Sequence, residues 1–230
     1  MKLIEPDWAA PQNVKAFFTC RSGGFSEGPY LSLNLGDHVN DDPTRVHMNR
    51  SLLPLPAEPN YFEQIHGNTC VHADVADLGE KADGAFTRRS KKVLVVLVAD
   101  CLPVLFTDEA GTTVAVAHAG WKGLAHGILN QTVKALESES LIAWLGPCIG
   151  PCHYVVREDV VSRFASHLGF ERLSSESWKM DLSMIARTQL IELGVEVFGG
   201  DFCTFCDEKM FYSFRRDGCT GRMGAYIWLE

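Results

Sequence analysis

Three residues in three short segments carry side chains suited either to hold a metal or to act as nucleophile and base. They are His66 in Gln64-Ile65-His66-Gly67, Cys101 in Ala99-Asp100-Cys101-Leu102-Pro103, and His118 in His118-Ala119-Gly120-Trp121-Lys122-Gly123. Neutral imidazole and thiolate are preferred zinc ligands, and a set of three leaves a fourth position for water or substrate. The spacing matches no finger-like motif, so residue type carries this expectation; a buried free cysteine is the plain alternative for Cys101. Cys101 as nucleophile, with His118 or His66 as base, would equally suit a metal-free hydrolase acting on an amide or ester. A closed, non-catalytic zinc module would need a fourth ligand beside the trio, and Asp83 and Asp100 are the nearest in sequence.

Anion chemistry has two candidate centres. Gly120 and Gly123 allow a tight turn after His118 into a helix start, where unpaired N–H groups and the charge of Lys122 could receive a phosphate. An ordinary strand-to-helix turn would look the same. Phe211-Tyr212-Ser213-Phe214-Arg215-Arg216 sets two arginines beside aromatics, a clamp for a base and an anionic group; its plain alternative is a solvated Arg pair beside core aromatics. Of the two centres, Arg215 and Arg216 are preferred to Lys122, because guanidinium meets phosphate with two parallel hydrogen bonds. Arg21 and Asn34 lie in polar, glycine-rich stretches that either line a pocket or cross the surface. Cys148, Cys152, Cys203 and Cys206 could in principle form a structural zinc site, but their flanks lack a knuckle-like pattern and free thiols are expected. His38, His47, His72, His126, His153 and His167 have no spacing that recommends them as ligands.

The elements that must position these groups are read from apolar runs. Buried strands are expected at Val14–Thr19, Val93–Ala99, Thr113–Ala117, Leu141–Leu145 and Ala225–Leu229. Asp42-Pro43 reads as an N-cap with proline at the first helical position, opening a helix through Leu53. Leu124–Leu136 has apolar residues near the 3.6 period, and Val160–Leu168 and Leu182–Leu193 read as two further helices, the second ended by Gly194. Cys101 and His118 thus stand at strand exits, and converge if those strands are parallel neighbours. The long stretches Arg21–Gly36 and Glu63–Gly84 are expected as functional loops. The fold class that results is α/β or α+β, one domain over 1–230 with a mixed sheet flanked by helices.

Composition narrows the function classes. A net charge of -8 without a long basic run argues against nucleic acid or an anionic membrane as partner. The apolar stretch Val93–Val98 is too short to cross a bilayer. Glu5, Pro6 and Asp7 interrupt the N-terminus before any signal-peptide core develops, so a cytoplasmic protein with reduced thiols is expected.

Taken in order, several segments resemble the YfiH family, also called the laccase-domain or polyphenol oxidase family. They are Thr19-Cys20-Arg21-Ser22-Gly23-Gly24-Phe25-Ser26, Ser32-Leu33-Asn34-Leu35-Gly36, Gln64-Ile65-His66-Gly67, Ala82-Asp83-Gly84, Ala99-Asp100-Cys101-Leu102-Pro103-Val104, His118-Ala119-Gly120-Trp121, Trp144-Leu145-Gly146-Pro147 and Phe211-Tyr212-Ser213-Phe214-Arg215-Arg216. The resemblance implies a zinc site at His66, Cys101 and His118. It also implies small-molecule substrates: phosphorolysis of inosine, adenosine and methylthioadenosine with phosphate, plus adenosine deamination. Asn40 stands where glycine is usual, and asparagine tolerates the left-handed conformation. Lys122 stands where arginine is frequent, so a phosphate contact there would be point-like. Multicopper oxidases coordinate copper largely through paired His-x-His motifs, whereas this chain has 8 His and no such pair. Copper remains an alternative single ion for the trio, with polyphenol oxidase activity as the corresponding alternative function.

Overall fold

The computed structural model describes residues 1–77 and 79–230. The chain opens with β1 (Leu3–Ile4), β2 (Val14–Thr19), α1 (Pro43–Ser51), β3 (Cys70–His72) and β4 (Gly84–Thr87). Next come β5 (Leu94–Val98), β6 (Leu102–Asp108), β7 (Val114–Ala119), α2 (Trp121–Ala125), α3 (Ile128–Leu136) and β8 (Leu141–Leu145). It closes with β9 (Val155–Val156), α4 (Glu158–Val161), β10 (Phe170–Arg172), β11 (Trp178–Met180), α5 (Leu182–Glu192), β12 (Glu196–Gly199), α6 (Phe214–Asp217) and β13 (Met223–Leu229).

Two sheets carry the fold. One runs β1-β2-β13-β5 and is antiparallel throughout. The other runs β12-β8-β6-β7-β4-β3, parallel at its two outer pairs and antiparallel between, so the expected mixed sheet is present. A small antiparallel sheet, β10-β11-β9, contributes Val156 and Met180 to the core around α3 and α5. Alternation along the strands sorts side chains into layers. Leu105, Val114 and Val116 point into a cluster shared with Leu94, Val96, Val98 and Ile227 of the smaller sheet. Their neighbours Val104, Phe106, Ala115 and Ala117 face the opposite way, toward Ile128 and Leu129 of α3 and Ile185 and Leu190 of α5. The outer face of the smaller sheet, with Phe17, Val95, Leu97 and Trp228, is covered by Leu33, Leu35 and Leu53. Strands buried on both faces explain why β5 and β7 read as unbroken apolar runs.

Helices depart from their sequence patterns where local chemistry intervenes. Asp42 caps α1 by accepting the N–H of Thr44, with Pro43 at the first position, as expected. The Leu124–Leu136 pattern breaks at Gly127, whose φ of 81° ends α2 and starts α3. Val160–Leu168 is not a helix beyond the single turn of α4; its two adjacent β-branched residues, Val160 and Val161, bury themselves in the core from that turn. β6 escapes the apolar-run reading because Pro103 interrupts it; proline is tolerated near a strand's first residue. Among the described residues, no helix is long and apolar enough to cross a membrane.

Candidate metal centre

Cys101 sits where the chain crosses from one sheet to the other. β5 belongs to the smaller sheet and β6 to the larger, and residues 99–101 make the step. The condition of parallel neighbours for the strands behind Cys101 and His118 is not met: β5 and β7 belong to different sheets and pack across the shared core. Convergence comes from β6 instead, which pairs antiparallel with β7 and sets Leu102 opposite Ala119 and Pro103 opposite His118. Asp100 makes the crossing with φ 94°, a conformation costly for a non-glycine residue and held here by its surroundings. Its buried carboxylate accepts Thr204 Oγ1 at 2.6 Å, Ser213 Oγ at 3.0 Å and the Arg215 N–H at 2.6 Å.

His66 arrives from the loop before β3, also with positive φ, 60°. Gln64 ties that loop to the edge of β5, its amide donating to Leu97 O at 2.8 Å and accepting Leu97 N–H at 2.7 Å. Asp83 organises the rest. Fully buried, it accepts the N–H groups of Ile65 (3.1 Å), His66 (2.9 Å) and Gly67 (2.7 Å), and its Oδ1 lies 2.7 Å from His118 Nδ1. One carboxylate thus locks the His66 loop and orients the His118 ring, leaving His118 Nε2 for Cys101. Gly120 makes room: a Cβ there would stand 2.8 Å from Cys101 Sγ and 3.4 Å from His66 Cδ2.

The ligand atoms of His66, Cys101 and His118 all lie within 4.8 Å of one another. Burial would push the Cys101 thiol up, but the charge of His118 and hydrogen bonds from both histidines bring it down to about 6. His118 moves the other way: burial would lower it, yet the Cys101 thiolate and Asp83 raise it to about 9. The opposite directions of the two shifts favour a thiolate beside an imidazolium, and a metal ion replacing the shared proton would find both donors in place. The donor set fits a borderline divalent ion. The two candidate fourth ligands are turned elsewhere. Asp83 is filled by four donors and Asp100 by three, so neither closes the site.

The remaining sequence candidates are placed unequally. Asn34 is fully buried, pairing with Gly36, Asp41 and the Arg222 N–H, and so braces its own loop. Arg216 spends its guanidinium on the carbonyls of Thr204, Phe205 and Phe211 and on Asp217. Arg215 is exposed, lies over the Tyr154 ring at 4.9 Å and donates to Val155 O at 3.1 Å. Arg21 packs over Tyr212 and donates to Glu208 O and Leu31 O. Lys122 is exposed on the first turn of α2, beside Trp121. Two groups that sequence inspection missed feel the Cys101 thiolate. Burial lowers Arg222, with Cys101 the strongest opposing charge; burial raises Tyr154, with Cys101 the strongest charge adding to it. Nothing in their flanking residues marks them. Asp83 stands in a recognisable segment and is a candidate fourth ligand there, but its spacing discloses no bracing role.

The sequence model of the family described as multi-copper polyphenol oxidoreductase laccase matches residues 15–230. The chain belongs to this family. It is 43% identical over 244 aligned positions to the Haemophilus influenzae protein named purine nucleoside phosphorylase, covering all of both chains. It is 42% identical to Escherichia coli purine nucleoside phosphorylase YfiH, covering 99% of each. Among solved structures, Neisseria meningitidis NMB0706 superposes with a TM-score of 0.95 at 42% identity over the whole of both chains. YlmD of Geobacillus stearothermophilus gives 0.86 at 32% identity, again over the full length of both. Fold and membership in the YfiH family thus agree with the sequence expectation, and the family description itself implies a metal.

Proposed function

We propose that this YfiH-family chain is a zinc-dependent purine nucleoside phosphorylase that cleaves inosine, adenosine and methylthioadenosine and also deaminates adenosine. The observation that carries it is the Asp83-held His66–Cys101–His118 cluster in a chain whose full-length relatives are named purine nucleoside phosphorylases. Zinc on these three ligands supplies Lewis acidity and a fourth position open to water or substrate. The protein's own groups do the rest. Asp83 keeps the His118 tautomer that frees Nε2, and the exposed His66 marks the side from which a nucleoside approaches. Arg215, exposed on Tyr154, offers a guanidinium to phosphate. In phosphorolysis a phosphate oxygen bonds to ribose C1′ as the C1′–N9 bond breaks, and the purine leaves with the electron pair. In deamination water adds at C6 and ammonia departs.

One observation favours a second function. Thiolate, imidazolium and carboxylate stand in the order of a nucleophile, base and orienting group, which would serve a metal-free hydrolase. Against it, a second imidazole, His66, also meets the thiolate, as a ligand would. The test is to incubate purified protein with adenosine and with inosine, with and without phosphate, and to separate the products by chromatography. Phosphate-dependent release of free base and phosphate-independent inosine formation from adenosine are expected, both lost in Cys101→Ala. Arg215→Ala should weaken phosphate dependence more than deamination. Cys101→Ala protein that still phosphorolyses would end the assignment of phosphorolysis to this cluster. Zinc-free wild type readily alkylated at Cys101 would favour the hydrolase.

A further inference from the structure

A second group of soft donors stands apart from the trio. Cys203 and Cys206 lie on one turn, Cys152 and His153 on another that follows Gly150-Pro151, and the ligand atoms of all four are within 4.8 Å of one another. Cys152 Sγ and Cys206 Sγ are 3.4 Å apart; His153 Nδ1 is 3.1 Å from the first and 3.4 Å from the second. Cys203 Sγ receives the Gly150 N–H at 3.2 Å and also the N–H groups of Phe205 and Cys206. Backbone donors converging on the first sulfur of a Cys-x-x-Cys turn stabilise a thiolate there. The His153 ring stacks flat on Phe205, centroids 4.0 Å apart and 11° from parallel, which fixes Nδ1 toward the sulfurs.

Packing alone does not account for this arrangement. Cys152, His153 and Cys206 are exposed, so their contacts bury little apolar surface, and hydrophobic packing does not explain why these donors converge. The four-cysteine set that the spacing suggested is not the one assembled. Cys148 is 2% exposed and faces Ser183 Oγ at 3.3 Å, and His153 stands in its place.

We propose that Cys152, His153, Cys203 and Cys206 form a closed zinc site of three thiolates and one imidazole, distinct from the family's metal centre. Four protein ligands leave no position for substrate, so its role is structural. It clamps the turn after Gly150 to the turn at Cys203. That second turn holds the metal centre from behind: Thr204 Oγ1 donates to Asp100 at 2.6 Å, and Arg216 grips Thr204 O and Phe205 O at 3.0 Å each. Asp100 directly precedes Cys101.

The experiment is metal analysis by mass spectrometry on protein purified under reducing conditions without added metal. Four proteins are compared: wild type, His66→Ala/Cys101→Ala, Cys203→Ser/Cys206→Ser, and the combination. Wild type should hold two zinc ions, each double variant one, and the combination none. Should Cys203→Ser/Cys206→Ser fail to fold, cobalt titration of His66→Ala/Cys101→Ala protein decides. Intense thiolate-to-cobalt absorption that weakens in a further Cys152→Ser or His153→Ala variant supports the site. The proposal is overturned if the His66→Ala/Cys101→Ala protein holds no zinc and gives no such absorption. It is equally overturned if peptide mapping of freshly purified wild type finds Cys152 joined to Cys206 as a disulfide.

Discussion

Asp83→Asn is the most informative single substitution, because it keeps the shape of a group that four donors share. Oδ1 takes His66 N–H and faces His118 Nδ1; Oδ2 takes Ile65 and Gly67 N–H. An amide has one oxygen, so whichever way it turns, two of these donors meet an NH2 group. A buried donor left unsatisfied costs about 1–3 kcal/mol. Two of them bracket about 2–6 kcal/mol, and the lower half applies because Ile65, 48% exposed, lies where the loop can turn its N–H to water. A loss of about 2–4 kcal/mol is therefore expected in urea unfolding at pH 7. If the amide instead presents NH2 to His118, the ring must accept at Nδ1 and carry its proton on Nε2, the nitrogen facing Cys101. Zinc affinity, read by chelator competition, should then fall by about 10–100-fold. The acid limb supplies an independent check. Burial would raise the Asp83 carboxyl, but the hydrogen bond to His118, the N–H groups of Gly67 and His66 and the charge of His118 hold it below its ordinary value. Its contribution is complete above about pH 4, the unfolded value, and is lost as pH falls through the depressed folded one. The gap between wild type and Asp83→Asn should narrow in that range. Wild-type zinc affinity together with a wild-type unfolding midpoint in Asp83→Asn would refute the role assigned to this carboxylate.

Three further outcomes are expected. Gly120→Ala places a methyl group 2.8 Å from Cys101 Sγ and should cut zinc occupancy and cost about 1–3 kcal/mol in unfolding; full occupancy with an unchanged midpoint would contradict the packing described. Arg216→Ala orphans three carbonyls and should cost about 2–4 kcal/mol, whereas Arg215→Ala, giving up an exposed contact over Tyr154, should cost about 1 kcal/mol or less; denaturation showing the reverse order would undo the division between them. Asp108, buried and accepting Thr112 N at 2.7 Å, Thr113 N at 3.0 Å and the Thr112 hydroxyl, is held low because these bonds outweigh burial. Asp108→Asn should lose about 1–2 kcal/mol at pH 7, a deficit that shrinks as pH falls through the depressed folded value; a pH-independent deficit would mean that its charge is irrelevant.

Much of the scaffold is legible in the chain because its signals are local. Strands buried on both faces must be apolar at every position, which exposes β5, β7 and β8 as runs in the sequence. Asp42-Pro43 announces α1 because an N-cap and a fixed φ act on adjacent residues. Asn40 at φ 65° fits the glycine-like position that the family resemblance implies, in a conformation asparagine tolerates. His66, Cys101 and His118 could be singled out by donor chemistry and segment pattern. What tied them together could not, since it depends on groups meeting from distant parts of the chain. Only the tertiary structure placed β5 and β7 in different sheets, filled Asp83 with four donors, and consumed the Arg216 guanidinium on carbonyls. Only it exchanged Cys148 for His153 beside Cys203 and Cys206. A side chain's chemistry belongs to its residue, but its partner is chosen by where two backbones pass, and Cys152 and Cys206 lie 54 positions apart in a sequence that says nothing about that meeting.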